Sequence, residues 1–268
     1  MNTRAVGFIP EAMDACDAPN PLHQNIIPVI QRPSEDCYKM NHAKRGYAHI
    51  FNHIPDGIDK ARIAETLKKL KFEVKIHDQL KYSEIMKELE ILASLDYKDV
   101  DCLMIVVITH GDVTGIKAQD EEYYPDLLWS KFTSEKCPSL AGKPKIFLID
   151  ACRGKIVDKG INVQFDGNSP SGAKTVKIPK LADILIMFST QDGHYGYGDD
   201  ISGSWFIQAL CEEVEKRYTS TEFTNILTLV NKRVAFDFQG NNPKNATFHE
   251  TKQVGSIVSS LTRLIYFS

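Results

Sequence analysis

The segment from Cys102 to Thr109 is an unbroken run of apolar and β-branched residues. Such a run is typical of a parallel strand in the middle of a sheet, because both of its faces must be covered by other elements. Shorter apolar runs over residues 145–149 and 184–188 predict two further buried strands. With 268 residues, of which 43% are hydrophobic, the chain is long enough to bury the core that this sheet requires.

Helical patterns separate these strands. Apolar residues recur at i, i+4 and i+7 in a predicted helix over residues 59–71, and again after Ser83. The remaining patterns predict helices over 126–132, over 203–217 and from Thr219, and strands over 47–51, 72–76 and 256–261. This alternation predicts an α/β fold with a mostly parallel sheet and helices on both faces.

Two segments lack such patterns. Residues 1–40 mix Pro, Asn, Asp and Gln and are predicted to form a short flexible N-terminal segment. Residues 155–177 are rich in Gly, Ser, Asn, Asp and Lys, and are predicted to be a long exposed linker inside one compact domain.

Charge and composition argue against several classes of protein. The 32 basic and 35 acidic residues are interspersed and the net charge is −3, so we expect no nucleic-acid partner and no membrane partner. The N-terminus lacks the apolar core of a signal peptide, and no apolar run is long enough to span a membrane, which predicts a cytoplasmic protein. The six cysteines show no metal-ligand spacing, so no disulfide frame, metal or cofactor is expected.

Two residues with catalytic chemistry follow neighbouring predicted strands. His110 follows the run that ends at Thr109, and Cys152 follows the strand over residues 145–149. Open α/β sheets place their sites at the carboxyl ends of their strands. A thiol is mostly protonated at neutral pH, so a nearby imidazole is needed to generate the thiolate. The backbone N–H groups of Gly111 and Cys152 could then stabilise an oxyanion.

Each of these motifs also has a purely structural interpretation. A single cysteine after an apolar strand is more often a packed side chain than a nucleophile, and a His-Gly pair at a strand end is more often a turn. Neither motif alone indicates a catalytic site.

Together with other motifs, they resemble the caspase family in order and spacing, from about residue 46 to the end of the chain. The motifs are Thr109-His110-Gly111, 150–154 (Asp-Ala-Cys-Arg-Gly), 188–190, 203–208 and 246–249. The resemblance implies a large-subunit-like segment over 41–154, a small-subunit-like segment over 178–268, and cleavage in the linker between them. It implies that Cys152 is the nucleophile, His110 the general acid and base, and Gly111 an oxyanion donor. It also implies that the strand Ser256–Leu261 pairs two protomers.

The chain departs from the family at its specificity pocket. Caspases cut after aspartate, and the resemblance implies two arginines and a glutamine that hold this carboxylate. Here residues 54–58 replace a longer loop with one arginine, Gly198 replaces the second arginine, and Asp150 replaces the glutamine. Removing the partner of a buried charge costs about 3–5 kcal/mol, and each ~1.4 kcal/mol is a factor of ten in rate. We therefore expect cleavage after aspartate to be nearly abolished.

Nearby residues offer little replacement for the lost arginines. Arg45, Lys60 and Arg62 lie in or beside predicted regular elements rather than in the expected loop. The segment Gly193–Asp200 is interpreted as a flexible loop in which Asp199 is a solvated acid.

Three functions are compatible with these residues. The leading interpretation is a decoy, or pseudo-caspase, of the apoptotic pathway, which is impaired for cleavage after Asp and regulates an active caspase in a heterodimer. The second is an active cysteine endopeptidase with basic specificity, because metacaspases, which cut after Arg or Lys, carry an aspartate at the position of Asp150. The third is a caspase that keeps residual Asp specificity. Asp166 is the candidate cleavage site in the linker and Asp158 a weaker one, and the alternative interpretation is that both are only polar linker residues.

Overall fold

The computed structural model describes residues 36–55, 57–158, 181–199 and 201–267. All of these residues fall within one compact unit. The N-terminal segment is described only from residue 36 and the linker only as far as residue 158, so their predicted boundaries remain predictions. Within the described ranges, no helix has the length and apolar character needed to cross a membrane.

Eleven strands and four α-helices form the described part of the chain. In order they are β1 (Lys44–Asn52), α1 (Ile58–Lys69), β2 (Glu73–Asp78), α2 (Tyr82–Ala93), β3 (Val100–Ile108), β4 (Gly111–Asp112), β5 (Gly115–Lys117), β6 (Glu122–Tyr123), β7 (Lys145–Asp150), β8 (Ile184–Phe188), β9 (Gly198–Asp199), β10 (Gly203–Ser204), α3 (Trp205–Arg217), α4 (Phe223–Asp237) and β11 (Ser256–Ser259). Short 3₁₀ turns lie at Pro125–Leu128 and Pro138–Leu140.

Six of the strands form the main sheet, in the order β11-β8-β7-β3-β1-β2. All neighbouring pairs are parallel except β11 and β8, which are antiparallel. The predicted mostly parallel sheet is therefore confirmed, and β3, the strand with the unbroken apolar run, lies near its centre.

Both faces of the sheet are covered, which explains why β3 has no polar alternation. Met104 and Val106 of β3 belong to the core on one side, together with residues of α1, α3 and α4. Leu103 and Ile105 belong to the core on the other side, with residues of α2. All four side chains are fully buried. The predicted helices on both faces are thus confirmed.

One predicted helix is wrong. The structure has a 3₁₀ turn at Pro125–Leu128 where a helix over residues 126–132 was expected. A single turn is enough to bury Leu128, and Phe132 is fully buried beyond it. The polar stretch that follows, up to Pro138, offers no further apolar face to continue a helix.

Two small sheets escaped the sequence analysis. Strands β4, β5 and β6 form an antiparallel sheet directly after β3, and β9 pairs with β10. The expectation of a flexible loop from Gly193 is also wrong, because this segment is tied to the chain after Cys152. The N–H of Arg153 donates to the carbonyl of His194, and the N–H of Gly193 donates to the carbonyl of Arg153, both at 2.9 Å.

Candidate active site

The carboxyl ends of β3 and β7 bring His110 and Cys152 to one cleft. The two strands are parallel neighbours, and Ile108 of β3 pairs with Asp150 of β7. His110 and Cys152 each follow this pair by two residues. Both line a cleft of about 230 Å³ at this edge of the sheet. The adjacency expected from the strand order is therefore present.

Gly111 lies against the backbone of Cys152. A Cβ atom at Gly111 would be 2.5 Å from the carbonyl oxygen of Cys152 and 2.9 Å from that of Gly115. No side chain fits there, so this close backbone approach requires glycine. Gly111 therefore lies directly against Cys152, the other residue predicted to supply an N–H group to an oxyanion.

The thiol of Cys152 is held by backbone groups. Its Sγ atom accepts a hydrogen bond from the N–H of Gly196 at 3.3 Å. Burial raises the pKa of this thiol and the charge of Asp150 raises it further, while the Gly196 N–H lowers it. The imidazole of His110 is on an exposed residue. In unliganded enzymes such catalytic hydrogen bonds are often long and tighten only in the substrate complex.

Three aspartates line the same cleft: Asp59, Asp150 and Asp199. Asp150 and Asp59 are buried, and the charge of Asp59 acts on Asp150. Burial is the main cause that raises the pKa of Asp150 to about 6, and Asp59 adds to it, whereas hydrogen bonds from Ser204 and Ser189 oppose it. The cleft is therefore acidic where the family resemblance implies a cationic pocket.

The basic residues considered as substitutes do not line the cleft, although the charge of Arg62 acts on Asp199. Arg45 forms an ion pair with Asp101 at 3.1 Å, and Lys60 forms one with Asp78 at 2.6 Å. Arg62 donates to the carbonyl of Ser202 at 2.6 Å. In the part of the chain that the structure describes, no Lys or Arg lines the cleft.

The backbone around Gly198 leaves no room for a side chain. Gly198 lies in β9, and a Cβ atom there would be 2.8 Å from the carbonyl oxygen of Gly203 and 3.0 Å from the Cα of Ser204, both in β10. An arginine at this position would require the hairpin to open. The predicted linker site, Asp166, lies outside the described residues.

Asp59 is the site residue that the sequence analysis missed. It lies in the first turn of α1, and both of its carboxylate oxygens accept the N–H of Ser204, at 3.0 and 3.1 Å. The topology of the sheet could have indicated Asp59, because α1 follows β1 at the same carboxyl edge as Cys152.

Asp199 is exposed as predicted. Its Oδ1 accepts hydrogen bonds from the N–H groups of Ile201 and Ser202, which hold the carboxylate in place at the cleft.

Strand β11 forms one edge of the main sheet. It pairs with β8, and none of the other described strands pairs with its outer side. It ends at Ser259, two residues earlier than predicted. Val258 at this edge is 55% exposed.

Comparison with known proteins gives the family to which this α/β fold belongs. The model described as the caspase domain, Peptidase C14, matches residues 54–266. Caspase-1 of Spodoptera frugiperda is 42% identical over an alignment of 241 residues, which covers 86% of this chain and 81% of that protein. The chain belongs to the caspase family, as the sequence motifs predicted.

Two further comparisons agree. The caspase drICE of Drosophila melanogaster is 38% identical over an alignment of 276 positions, which covers 98% of this chain and 81% of that protein. The crystal structure of caspase-1 from Spodoptera frugiperda matches with a TM-score of 0.82 and 40% identity, covering 91% of this chain and 96% of that one.

Proposed function

We propose that this caspase-family protein does not cleave after aspartate, and that it acts in the apoptotic pathway as a decoy that regulates an active caspase. The observation that carries the proposal is the charge of the cleft, which is lined by Asp59, Asp150 and Asp199 and by no Lys or Arg of the described residues. A substrate aspartate entering this cleft loses its hydration and meets like charges instead of a cation.

The expected effect on aspartate cleavage is large. An unpaired carboxylate in a partly buried pocket costs about 3–5 kcal/mol, which corresponds to at least about a hundredfold in rate. The raised pKa of Cys152 acts in the same direction, because it lowers the thiolate fraction at neutral pH.

The binding part of the proposal rests on β11. This edge strand leaves backbone groups on its outer side without a partner strand among the described residues, and such an edge is a template for pairing with another chain. Its exposed Val258 gives the edge an apolar contact. The proposed partner is a second caspase. A homodimer formed through the same edge would compete with this heterodimer.

The test is a titration of this protein into an active caspase from the same source, with the activity of that caspase on an aspartyl peptide as readout. We expect a change in that activity together with co-elution in size-exclusion chromatography. Val258→Arg should abolish both effects, because it places a charge at the pairing edge. Ile91→Arg, a matched change on the exposed side of α2, should leave them intact.

No change in caspase activity at any ratio would refute the regulatory role. Equal loss of binding in the Ile91→Arg control would show that the edge of β11 is not the contact. Mass spectrometry of the same mixtures tests whether the active caspase cleaves the linker after Asp166.

A second candidate function is cleavage after Arg or Lys. The same acidic cleft favours it, because two buried carboxylates, Asp59 and Asp150, would pair with a basic substrate side chain. Peptides that differ only in the residue before the scissile bond test it. Turnover of the Arg or Lys peptide that disappears in Cys152→Ala would establish this activity, and the absence of turnover would exclude it.

A further inference from the structure

A cluster of potential metal ligands lies where β1 and the edge strand β2 pack under α2, and none of its residues lines the cleft. His49 of β1 and His77 of β2 have side chains that are 8% and 7% exposed, and Glu88 of α2 has one that is 16% exposed. These three residues present ligand atoms that all lie within 4.8 Å of one another. The catalytic and pocket residues described above do not include them.

The distances within this His49–His77–Glu88 cluster fit a small divalent ion. His49 Nδ1 is 2.9 Å from His77 Nε2, and Glu88 Oε1 is 3.7 Å from His77 Nε2 and 4.0 Å from His49 Nδ1. An ion in the plane of these three atoms and equidistant from them would lie about 2.1 Å from each, which is the usual length of a Zn–N or Zn–O bond, and shifts of the three side chains would bring the coordination to tetrahedral. We propose that the cluster binds one Zn²⁺ ion, with water as the fourth ligand.

Both imidazoles of the cluster are buried. The ring of Phe51 stacks on that of His77 with centroids 4.7 Å apart. Two imidazoles and one carboxylate, with one open position, are a ligand set that zinc accepts.

Binding rearranges two contacts that the cluster makes without metal. The imidazoles face each other nitrogen to nitrogen and share one proton, so both rings must turn toward Glu88, and that proton moves to the outer nitrogen of one ring without net release. The ammonium of Lys75 also binds Glu88 Oε1 and must move away. Lys75 is largely exposed, so its side chain can leave without unpacking the core.

The role of the ion would be structural. It would join the edge strand β2 to β1 and α2, and a ligand that binds only the folded state stabilises it. This inference does not depend on the proposed decoy function.

The test uses the full chain with Cys152→Ser, so that zinc cannot bind the thiol in the cleft. Isothermal titration with Zn²⁺ should give one site per chain, and Tm should rise with zinc. His77→Asn and Glu88→Gln should each weaken the affinity by at least about tenfold. His194→Asn, a change at a partly buried histidine outside the cluster, should leave it unchanged.

Two further measurements guard against variants that merely misfold. Lys75→Met should tighten zinc binding, because it removes the cation that competes for Glu88, and a misfolded variant cannot produce this gain. Co²⁺ in place of Zn²⁺ should give a tetrahedral visible spectrum without the charge-transfer band of a thiolate ligand. A thiolate band, or an affinity that His77→Asn and Glu88→Gln leave unchanged, would overturn the proposal.

Discussion

Asp150 is the residue at which this chain departs most clearly from a pocket that holds an acidic substrate. It is buried at the end of β7, two residues before Cys152, and the charge of Asp59 acts on it. Its raised pKa reflects the cost of keeping a carboxylate in this place. The charged form of Asp150 therefore destabilises the folded protein at neutral pH. This cost indicates that Asp150 serves the acidic cleft rather than the packing of the core.

Replacing Asp150 by Asn should stabilise the protein in a pH-dependent way. The folded protein keeps this proton up to about pH 6, whereas the unfolded chain releases it near the ordinary value of 3.8. Stability is therefore lost as the pH rises from about 4 to 6, by about 3 kcal/mol in all. The difference in unfolding free energy between Asp150→Asn and the parent should grow by about this amount from pH 4 to pH 7, measured by urea denaturation.

Asp199→Asn is the control, because the stability that its carboxylate contributes should vary with pH in the opposite direction. The N–H groups of Ser202 and Ile201 lower the pKa of Asp199, so its carboxylate contributes stability above its ordinary pKa that is lost as the pH falls. This variant should be less stable than the parent at pH 7 and closer to it at acidic pH. An Asp150→Asn difference that does not vary with pH would contradict the account of Asp150.

At the residue scale, the sequence predicted part of the site. Cys152, His110 and Gly111 were found because each directly follows an apolar strand, and the structure brings all three together. Asp59 was not found, because it belongs to a helix and reaches the cleft only through the packing of α1 beside β10. Side-chain direction of this kind is set by tertiary contacts and is not encoded in local spacing.

At the scale of elements, the β9–β10 hairpin explains why Gly198 cannot simply be changed back to an arginine. A Cβ at residue 198 meets the backbone of β10, which cannot move as a side chain can. The proposed change of specificity therefore involves the shape of a hairpin as well as a single side chain.

Gly198→Ala should lower the stability by about 1–3 kcal/mol, because overpacking forces the backbone of β10 to shift. Gly196→Ala is the matched comparison, since the tightest contact of its Cβ would be the methyl group of Thr190, at 3.3 Å, with Cys152 Sγ at 3.8 Å, and a smaller loss is expected. Thermal unfolding monitored by circular dichroism measures both. Equal Tm values for Gly198→Ala and the parent would show that the hairpin tolerates a side chain.

The elements that sequence predicted well are the long ones. The buried strands β3, β7 and β8 were visible as apolar runs, and α1 and α2 as helical repeats. The strands of two or three residues in β4–β6 and β9–β10 were missed, because so short a segment has no periodicity and is defined only by its pairing.

At the scale of the whole molecule, the sheet order and the two covered faces are those of the caspase family, while the cleft carries the opposite charge from the one that aspartate specificity needs. We propose that the fold has been kept while the pocket has changed. Folds accept such changes because function depends on a few site residues rather than on the architecture.

The rate of cleavage after aspartate tests this account most directly. The purified chain, before and after linker cleavage, is assayed for kcat/KM on a peptide with Asp before the scissile bond, beside an active caspase and the Cys152→Ala variant. We expect a rate at least about a hundredfold below that of the active caspase in both forms. A rate equal to that of the active caspase, abolished in Cys152→Ala, would contradict the account.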